Sequence, residues 1–377
     1  MKAQSYADFS AKVHSAFSAK RVPLNATLEV TYRCNNNCVD CYCSLPVSDK
    51  RSLQKELSTE EIKALLDELA SMGSLWLLIT GGEPLLRKDF EEIYLYAKRK
   101  GFLITLFTNG TLIDERIIRL LSKYPPFVVE VTLYGATEDT CEKVTRQKGS
   151  YGQCLRGIRE LVAAGIKLKL KTMALTINQH EMEAMDKMAQ ALGCEFRFDP
   201  LIHKRIDNRK FSQPERYRIS PEDVVRLDRM FPKRMEEYKK FCDRFIAQPL
   251  KSKKLYGCGA GVNSVQISPY GMVSGCSMMI RDSFSLKEQS FRWIWEEGIP
   301  SIINKKKDFI LPCDDCRLIN LCGQCPPWSI LENGDVKKEV AFLCRIAKMK
   351  EKDFEFINSV SKEKDHEKHE KEEMVKA

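Results

Sequence analysis

The chain has 377 residues, of which 43% are hydrophobic, so it is long enough for one large domain or two with a substantial core. Its N-terminus lacks the apolar run of a secretory signal, and no apolar stretch approaches the roughly 20 residues that cross a bilayer. The 61 basic residues are offset by 52 acidic ones, so the net charge of +9 indicates a mixed surface, compatible also with an acidic peptide partner. We expect a soluble, cytoplasmic protein.

The 15 cysteines are unevenly spaced. Disulfides are disfavoured in the cytoplasm, so this spacing indicates metal ligation by iron or zinc. Four of the cysteines fall within CNNNCVDCYC at 34–43, where Asn and Asp side chains make a polar loop. A thiol placed for packing lies on an apolar face, so the loop predicts a bound metal centre.

Short apolar runs alternate with amphipathic stretches, which is typical of repeated βα units. After a polar lead at 1–24, strands are predicted at 28–33, 75–80, 102–108, 127–134, 166–175 and 195–202. Helices are predicted at 59–72, 89–100, 114–123, through 138–164 and at 179–192, the first with a capping signal at Ser58, Thr59 and Glu61. Six such units predict an α/β fold, a partial (β/α)6 barrel over 25–213, with function at the C-terminal ends of its strands.

The rest of the chain differs in composition. A charged helical bridge is predicted at 214–254, a small cysteine-rich domain at 255–350 and a charged tail at 351–377 that is a solvated helix or disordered. Four further cysteines lie in predicted helices or at a helix end, where inert buried thiols are the default: Cys141, Cys154, Cys194 and Cys242.

Two motifs follow successive predicted strands. Cys34, Cys38 and Cys41 form CxxxCxxC after the first, and GGEP at 81–84 follows the second. Three thiolates can hold three corners of a four-iron cluster and leave one iron open, whereas a structural zinc normally takes four protein ligands. On these motifs the chain resembles the radical S-adenosylmethionine (radical SAM) superfamily across the barrel. The resemblance implies that the open iron binds SAM, and that one electron cleaves SAM to methionine and a 5′-deoxyadenosyl radical.

The resemblance also implies the contacts of SAM. Gly81, Gly82 and Glu83 are expected at the methionine ammonium, with Pro84 completing the cofactor-binding motif. The other expected cofactor-binding residues are Thr132 through its hydroxyl, Arg146 as the carboxylate partner, and Asn109 beside the cofactor. Two departures are Asp40, where an aromatic residue is usual before the third cysteine, and TLYG at 132–135 in place of SLDG. Cys43 is interpreted as a spectator thiol, because a fourth ligand would close the iron that the chemistry needs.

From Cys258 onward the cysteine spacing resembles the SPASM domain, a C-terminal extension of radical SAM enzymes with two auxiliary iron–sulfur clusters. The resemblance assigns Cys313, Cys316, Cys322 and Cys344 to an outer cluster, and Cys258, Cys276 and Cys325 to an inner one. Three [4Fe–4S] clusters are therefore expected. The inner cluster has either an open iron that binds substrate or a non-cysteine or more distant fourth ligand. Cys322 and Cys325 are separated by two residues where three are usual. In isolation, the two CxxC pairs at 313–316 and 322–325 would indicate a zinc site.

SPASM-bearing relatives mostly modify peptides, so the resemblance implies hydrogen abstraction from a peptide or protein substrate, as in maturation of ribosomal peptides or sulfatases. It implies an external electron donor such as flavodoxin or ferredoxin. Because 33 residues precede Cys34, a separate peptide-recognition protein is a possible partner. The alternatives are tetrapyrrole or small-cofactor biosynthesis and, from another class, a zinc-dependent nucleic-acid-binding protein, for which no aromatic-rich basic cluster is present.

Asp199 and His203, after the sixth strand, are candidates for substrate contact, although structural or solvated roles compete.

Overall fold

The computed structural model describes residues 6–18, 20–207, 212–237, 254–307, 309–311 and 313–353. The chain forms two compact units, Met1–Arg218 with Cys258–Lys305, and Ile219–Gly257 with Lys306–Ala377. The region expected at 255–350 is thus shared between the units. Most of the expected bridge at 214–254 belongs to the second unit. Cys242 and the expected tail beyond 353 lie outside the described residues.

A nine-stranded sheet organises the first unit. Six of its strands are parallel and lie side by side in chain order up to one edge of the sheet: β1 (Asn25–Thr31), β2 (Trp76–Gly81), β3 (Leu103–Thr108), β4 (Val128–Thr132), β5 (Leu168–Met173) and β6 (Glu195–Asp199). All six predicted strands are present with shifted ends, and the α/β fold class is confirmed.

Three further strands extend this sheet beyond β1: β7 (Ser264–Ile267), β8 (Met272–Ser274) and β9 (Phe284–Ser285). β7 pairs parallel to β1, with Asn25 opposite Ser264 and Leu28 opposite Ile267, and β8 is antiparallel to both β7 and β9. This pairing was not predicted from the sequence. It makes the segment after Cys258 a continuation of the barrel sheet.

Helices connect the strands: α1 (Tyr6–Ser18), α2 (Lys50–Lys55), α3 (Thr59–Ser71), α4 (Phe90–Arg99), α5 (Glu115–Lys123), α6 (Glu138–Thr145), α7 (Ser150–Ala163) and α8 (Met182–Ala191). The capping box at α3 is present: the Glu61 backbone N–H donates to Ser58 Oγ at 3.2 Å, and the Ser58 N–H donates to the Glu61 carboxylate at 2.7 Å. Such a cap stabilises a helix by about 1 kcal/mol.

The strands bury one face. In β3 the side chains of Ile104, Leu106 and Thr108 are buried, while the alternating residues, including Phe107, are only half-buried. β5 alternates likewise, with Leu168, Leu170 and Thr172 buried. We take the buried residues to form the helix-covered core and the alternate ones to face the inside of the barrel.

The second unit contains α9 (Pro221–Met230), short helices at Ile319–Cys322 and Pro326–Asn333, and a helix over 341–353. Asp228, which is 2% exposed, anchors its charged interior through ion pairs with Arg234 at 2.7 Å and Lys350 at 2.9 Å. Across the described ranges of both units, no helix is sufficiently long and apolar for a bilayer span.

Candidate active site of the barrel

Three thiols lie together in the loop that follows β1. Cys34 and Cys38 are buried and Cys41 is half-buried. Burial raises the pKa of Cys34 to about 12 and that of Cys38 well above its ordinary value, and the nearby Cys41 thiol contributes to both shifts. The loop thus brings together the three residues that the CxxxCxxC motif predicted.

The polypeptide itself holds the loop in place. The backbone N–H groups of Asn37 and Val39 donate to carbonyls at the end of α6, each at 2.9 Å. The Val39 side chain is 1% exposed and belongs to a core cluster with Val144, Leu175 and Ile202. Asp40, the departure from the aromatic residue, is buried and accepts a hydrogen bond from the Tyr134 hydroxyl at 3.0 Å.

Arg205 is a second anchor that the sequence did not reveal. Arg205 is 3% exposed. Its guanidinium donates to the carbonyls of Cys41 at 3.0 Å and Ser44 at 3.2 Å, and it forms a bidentate ion pair with Asp207 at 2.8 and 2.9 Å. The Ser212 hydroxyl also donates to the Cys41 carbonyl at 3.0 Å. Arg205 lies 164 positions after Cys41, so no local sequence pattern could have predicted this contact.

Hydrogen bonds also reach the sulfur atoms. The Asn36 N–H donates to Cys34 Sγ at 3.4 Å, and the Ser44 N–H donates to Cys41 Sγ at 3.2 Å. The Cys43 thiol hydrogen-bonds to Cys41 and lowers the pKa of Cys41 to about 6. Because donors to thiolate stabilise its negative charge, these groups suit an iron–sulfur ligand set.

The donor set fits a four-iron cluster. A single zinc ion gathers its ligands around one point, whereas a cluster carries each thiolate on a different iron. In the part of the chain that the structure describes, no three His, Cys, Asp or Glu side chains are arranged for a single metal ion. The loop offers three neighbouring thiols and N–H donors directed at sulfur, which are the groups that a cluster with one open iron requires.

GGEP follows β2 and lies against the start of this loop. The Gly82 N–H donates to the Thr31 carbonyl at 2.7 Å, and the Glu83 N–H donates to the Arg33 carbonyl at 2.9 Å. A Cβ on Gly81, whose φ is +133°, would lie 2.1 Å from the Thr31 carbonyl oxygen. The glycines are therefore needed for close approach to the backbone before Cys34, a reason distinct from the ligand approach that the sequence indicated.

Glu83 is fully buried. Its carboxylate accepts hydrogen bonds from the Thr108 hydroxyl at 2.8 Å, the Asn109 N–H at 2.8 Å and the Leu85 N–H at 3.1 Å. Burial raises its pKa to about 7. The carboxylate is thus held by neutral donors, and a cation would stabilise its ionised form.

Asn109 links Glu83 to the cysteine loop. Its side-chain amide donates to Asn35 Oδ1 at 2.9 Å and approaches Cys34 Sγ at 3.8 Å. Thr132 ends β4 and pairs in register with Lys171 on β5. Both residues therefore lie at the strand ends, as the sequence predicted.

Three other candidates lie at the periphery. Arg146 is exposed in a left-handed conformation at the end of α6 and donates to the Tyr217 hydroxyl at 3.2 Å. Asp199 is exposed and accepts from the Leu201 N–H at 2.8 Å. The half-buried ring of His203 forms a hydrogen bond through Nδ1 with the Lys204 carbonyl at 2.7 Å, and it lies 5.6 Å from the Tyr42 ring. Asp199 thus makes a local contact, whereas His203 also lies near Tyr42 in the cysteine loop.

Charged residues on the inward positions of the barrel strands were not predicted. Arg197 pairs with Glu130 at 2.6 Å, and Lys169 pairs with Glu195 at 2.7 Å. Lys171 lies over the Phe107 ring, 2.8 Å from its centroid, and burial lowers its pKa well below the ordinary value. Alternating charge on a strand is equally typical of a solvated face, so the pattern did not point to paired charges inside the barrel.

A cavity of about 220 Å³ lies in the first unit beside the three-cysteine loop. Its lining includes Cys43, whose thiol contacts Cys41, and also Ser274 and Ser277, which are close to Cys276 in the sequence. Glu29, 1% exposed on β1, also lines it and accepts from the hydroxyls of Tyr32 at 3.0 Å and Tyr42 at 2.9 Å. We name it the Glu29 cavity. The sequence feature that could have revealed this cavity is a glutamate, Glu29, within the apolar pattern of the first predicted strand.

The C-terminal cysteines fall in both units. In the first unit Cys258 is exposed and Cys276 is half-buried, and the two are near enough for Cys258 to raise the pKa of Cys276. In the second unit burial raises the pKa of Cys313 to about 11 and of Cys322 to about 12, and the Cys344 thiol adds to both shifts. The expected outer-cluster thiols therefore lie near one another. Cys325 begins the helix Pro326–Asn333 in the second unit.

A parallel barrel with three loop thiols beside a buried Glu–Asn pair defines an iron–sulfur enzyme class, and comparison with known proteins agrees. The radical SAM superfamily profile matches residues 28–191. The mycofactocin maturase MftC of Mycobacterium tuberculosis is 30% identical over 285 residues, covering 73% of this chain and 71% of MftC. The chain belongs to the radical SAM superfamily. Membership implies a [4Fe–4S] cluster and SAM as cofactors, so it replaces the alternative of a zinc-dependent nucleic-acid-binding protein.

Two further similarities bear on substrate and fold. The Fe-coproporphyrin III synthase of Methanosarcina barkeri is 40% identical over 166 residues, which cover 44% of this chain and only 40% of that protein. The crystal structure of Streptococcus suis SuiB bound to precursor peptide SuiA has a TM-score of 0.64 at 14% identity, covering 89% of this chain and 80% of that chain. At that identity the likeness shows the fold alone.

Proposed function

We propose that this protein is a radical SAM maturase that modifies a peptide or protein substrate by abstracting hydrogen from a C–H bond. The observation that carries the proposal is the position of the Glu29 cavity. Its lining includes Cys43, which contacts the expected cluster ligand Cys41, and two neighbours of Cys276, an expected auxiliary-cluster ligand. A substrate group in this cavity would lie between the site of radical formation and an electron acceptor.

The size of the cavity favours a peptide over a tetrapyrrole. Pockets for drug-sized ligands have volumes of about 300–1,000 Å³. A tetrapyrrole macrocycle exceeds the cavity of about 220 Å³, whereas one amino-acid side chain fits it. Tetrapyrrole chemistry remains the second candidate because of the similarity to Fe-coproporphyrin III synthase.

The proposal assigns roles to the barrel residues. Cys34, Cys38 and Cys41 would hold the cluster that, when bound, supplies the electron for reductive cleavage of SAM to the hydrogen-abstracting 5′-deoxyadenosyl radical. Glu83 would accept hydrogen bonds from the SAM ammonium, since its carboxylate is fixed by neutral donors. Four further residues are proposed cofactor contacts: Gly81, Pro84, Thr132 and Arg146. Arg205 positions the loop by holding the Cys41 carbonyl.

Two auxiliary [4Fe–4S] clusters complete the proposal, with the cysteine assignments given above. The pKa coupling among Cys313, Cys316, Cys322 and Cys344 supports the outer set. The inner set is the one that the resemblance assigns: Cys258, Cys276 and Cys325. The proposed partners are an external one-electron donor such as flavodoxin or ferredoxin and, in addition, a separate peptide-recognition protein.

Anaerobic purification tests the proposal directly. We expect brown protein with about twelve irons per chain and release of 5′-deoxyadenosine that depends on SAM and a strong reductant. A precursor peptide encoded beside the gene should then change mass. A mass change of Fe-coproporphyrin III without any change in the peptide would replace the peptide proposal with the tetrapyrrole one, and absence of 5′-deoxyadenosine would refute both.

A further inference from the structure

The walls of the Glu29 cavity carry negative charge. Glu29 and Asp207 both line it, and among the described residues that form its lining none is Lys, Arg or His. Asp207 is already paired with Arg205 at 2.8 Å. Glu29 therefore has no basic partner among the described residues that line the cavity.

The neighbours of Glu29 are neutral. Its two oxygens accept from the hydroxyls of Tyr32 and Tyr42, and the Gln266 side chain also donates to it. A carboxylate has about four acceptor sites, so these three donors leave capacity for a further one. Burial raises the pKa of Glu29, because neutral donors offset only part of the cost of removing an ionised carboxylate from water. A cation in the cavity would supply the missing charge.

The rest of the lining is mostly apolar. Leu45, Ile206 and Met272 contribute aliphatic surface, and Tyr270 contributes an aromatic ring. Long basic side chains combine an aliphatic stem with a charged tip, so a stem along these walls places the tip among polar groups. A cavity of about 220 Å³ suits one such side chain.

We propose that the Glu29 cavity receives a Lys or Arg side chain of the substrate peptide, with the cationic tip on the Glu29 carboxylate. This inference rests on the proposed peptide-modifying function and specifies its substrate. The net charge of +9 attracts acidic peptides non-specifically, so a preference for basic residues would run against the overall field of the protein.

A displayed library of random peptides, panned on anaerobic, cluster-loaded protein, tests the proposal. The wild type should enrich Lys and Arg at one position of the bound peptides, and Glu29→Gln should reduce this enrichment about tenfold, as expected for loss of a charged hydrogen-bond acceptor. Glu29→Lys should shift the preference to Asp and Glu. The matched control Glu183→Lys changes the net charge equally at an exposed site on α8 and should leave the basic preference intact.

The outcomes separate this inference from the proposed function. Iron content and far-ultraviolet circular dichroism establish that each variant is folded, and the isosteric Glu29→Gln keeps the test available if Glu29→Lys does not fold. Release of 5′-deoxyadenosine by the wild type together with equal Lys and Arg frequencies in wild type and Glu29→Gln would overturn the inference and leave the radical reaction intact. Lack of 5′-deoxyadenosine release would overturn the function itself.

Discussion

The two cysteine regions differ in what holds their thiols. In the loop at 34–43 the backbone is hydrogen-bonded to α6, Val39 is in the core and Arg205 fixes the Cys41 carbonyl. In the second unit Cys313, Cys316, Cys325 and Cys344 are only half-buried. The first three lie in turns or loops, and Cys344 lies in the helix over 341–353. The barrel loop is therefore preorganised by packing. The second region is the kind of segment whose order depends on bound metal.

Removing thiols should give the largest contrast between the regions. Replacing Cys34, Cys38 or Cys41 with Ala is expected to lower 5′-deoxyadenosine release about a thousandfold or more, because each would be a ligand of the SAM-binding cluster. The control Cys316→Ala should keep this release within about tenfold of wild type while losing iron. Quantitative chromatography of 5′-deoxyadenosine measures both, and equal losses would contradict the division of roles.

Iron removal should separate the regions next. Chelation under reducing conditions is expected to remove amide protection across 313–344, because metal binding and folding are coupled in segments with little core. Strands β1 to β6 should stay protected, since their side chains are buried by apolar packing. Hydrogen exchange with mass spectrometry reports both regions in one sample. Uniform loss of protection would show that the barrel also depends on metal.

The preorganisation of the barrel loop can be weakened without touching a thiol. Arg205→Ala should lower the free energy of unfolding by about 3 kcal/mol, because it removes the buried donor of the Ser44 carbonyl, one of two donors to the Cys41 carbonyl and the bidentate partner of Asp207. Urea titration checks this value. Arg226→Ala is the control, since Arg226 forms an exposed ion pair with Asp223 at 3.1 Å whose loss should cost less than about 1 kcal/mol.

The pH dependence of the barrel is spread over the range from pH 4.5 to about 7, so a single pH step within that range gives the smallest expected change. Burial raises the pKa of Glu83 from 4.5 to about 7, so the folded state binds this proton more tightly than the unfolded state. Stability from this group is therefore full below pH 4.5 and is lost as pH rises to about 7, by up to about 3 kcal/mol. Urea titrations across that range, without SAM, should show this loss in wild type but not in Glu83→Gln. An unchanged slope in the variant would assign the effect to another group.

The Arg205 contacts show why part of the site was hidden from sequence analysis. The CxxxCxxC and GGEP motifs could be assigned to one site from the sequence, because each lies within a few residues of a predicted strand end. Parallel strands bring these ends together. Arg205 acts on Cys41 and Ser44 through hydrogen bonds that span more than 160 positions. Nothing local to residue 205 distinguishes it from the other basic residues of the chain.

The amino-acid order alone determined the six βα units, the capped start of α3 and the three-thiol loop, because hydrophobic period, capping and cysteine spacing act over a few residues. Only the tertiary structure decided that β7 pairs with β1 and that Glu29, Gln266 and Cys43 line one cavity. These contacts join segments more than 200 residues apart. Their register depends on how whole elements pack, and single residue patterns carry no information about that packing.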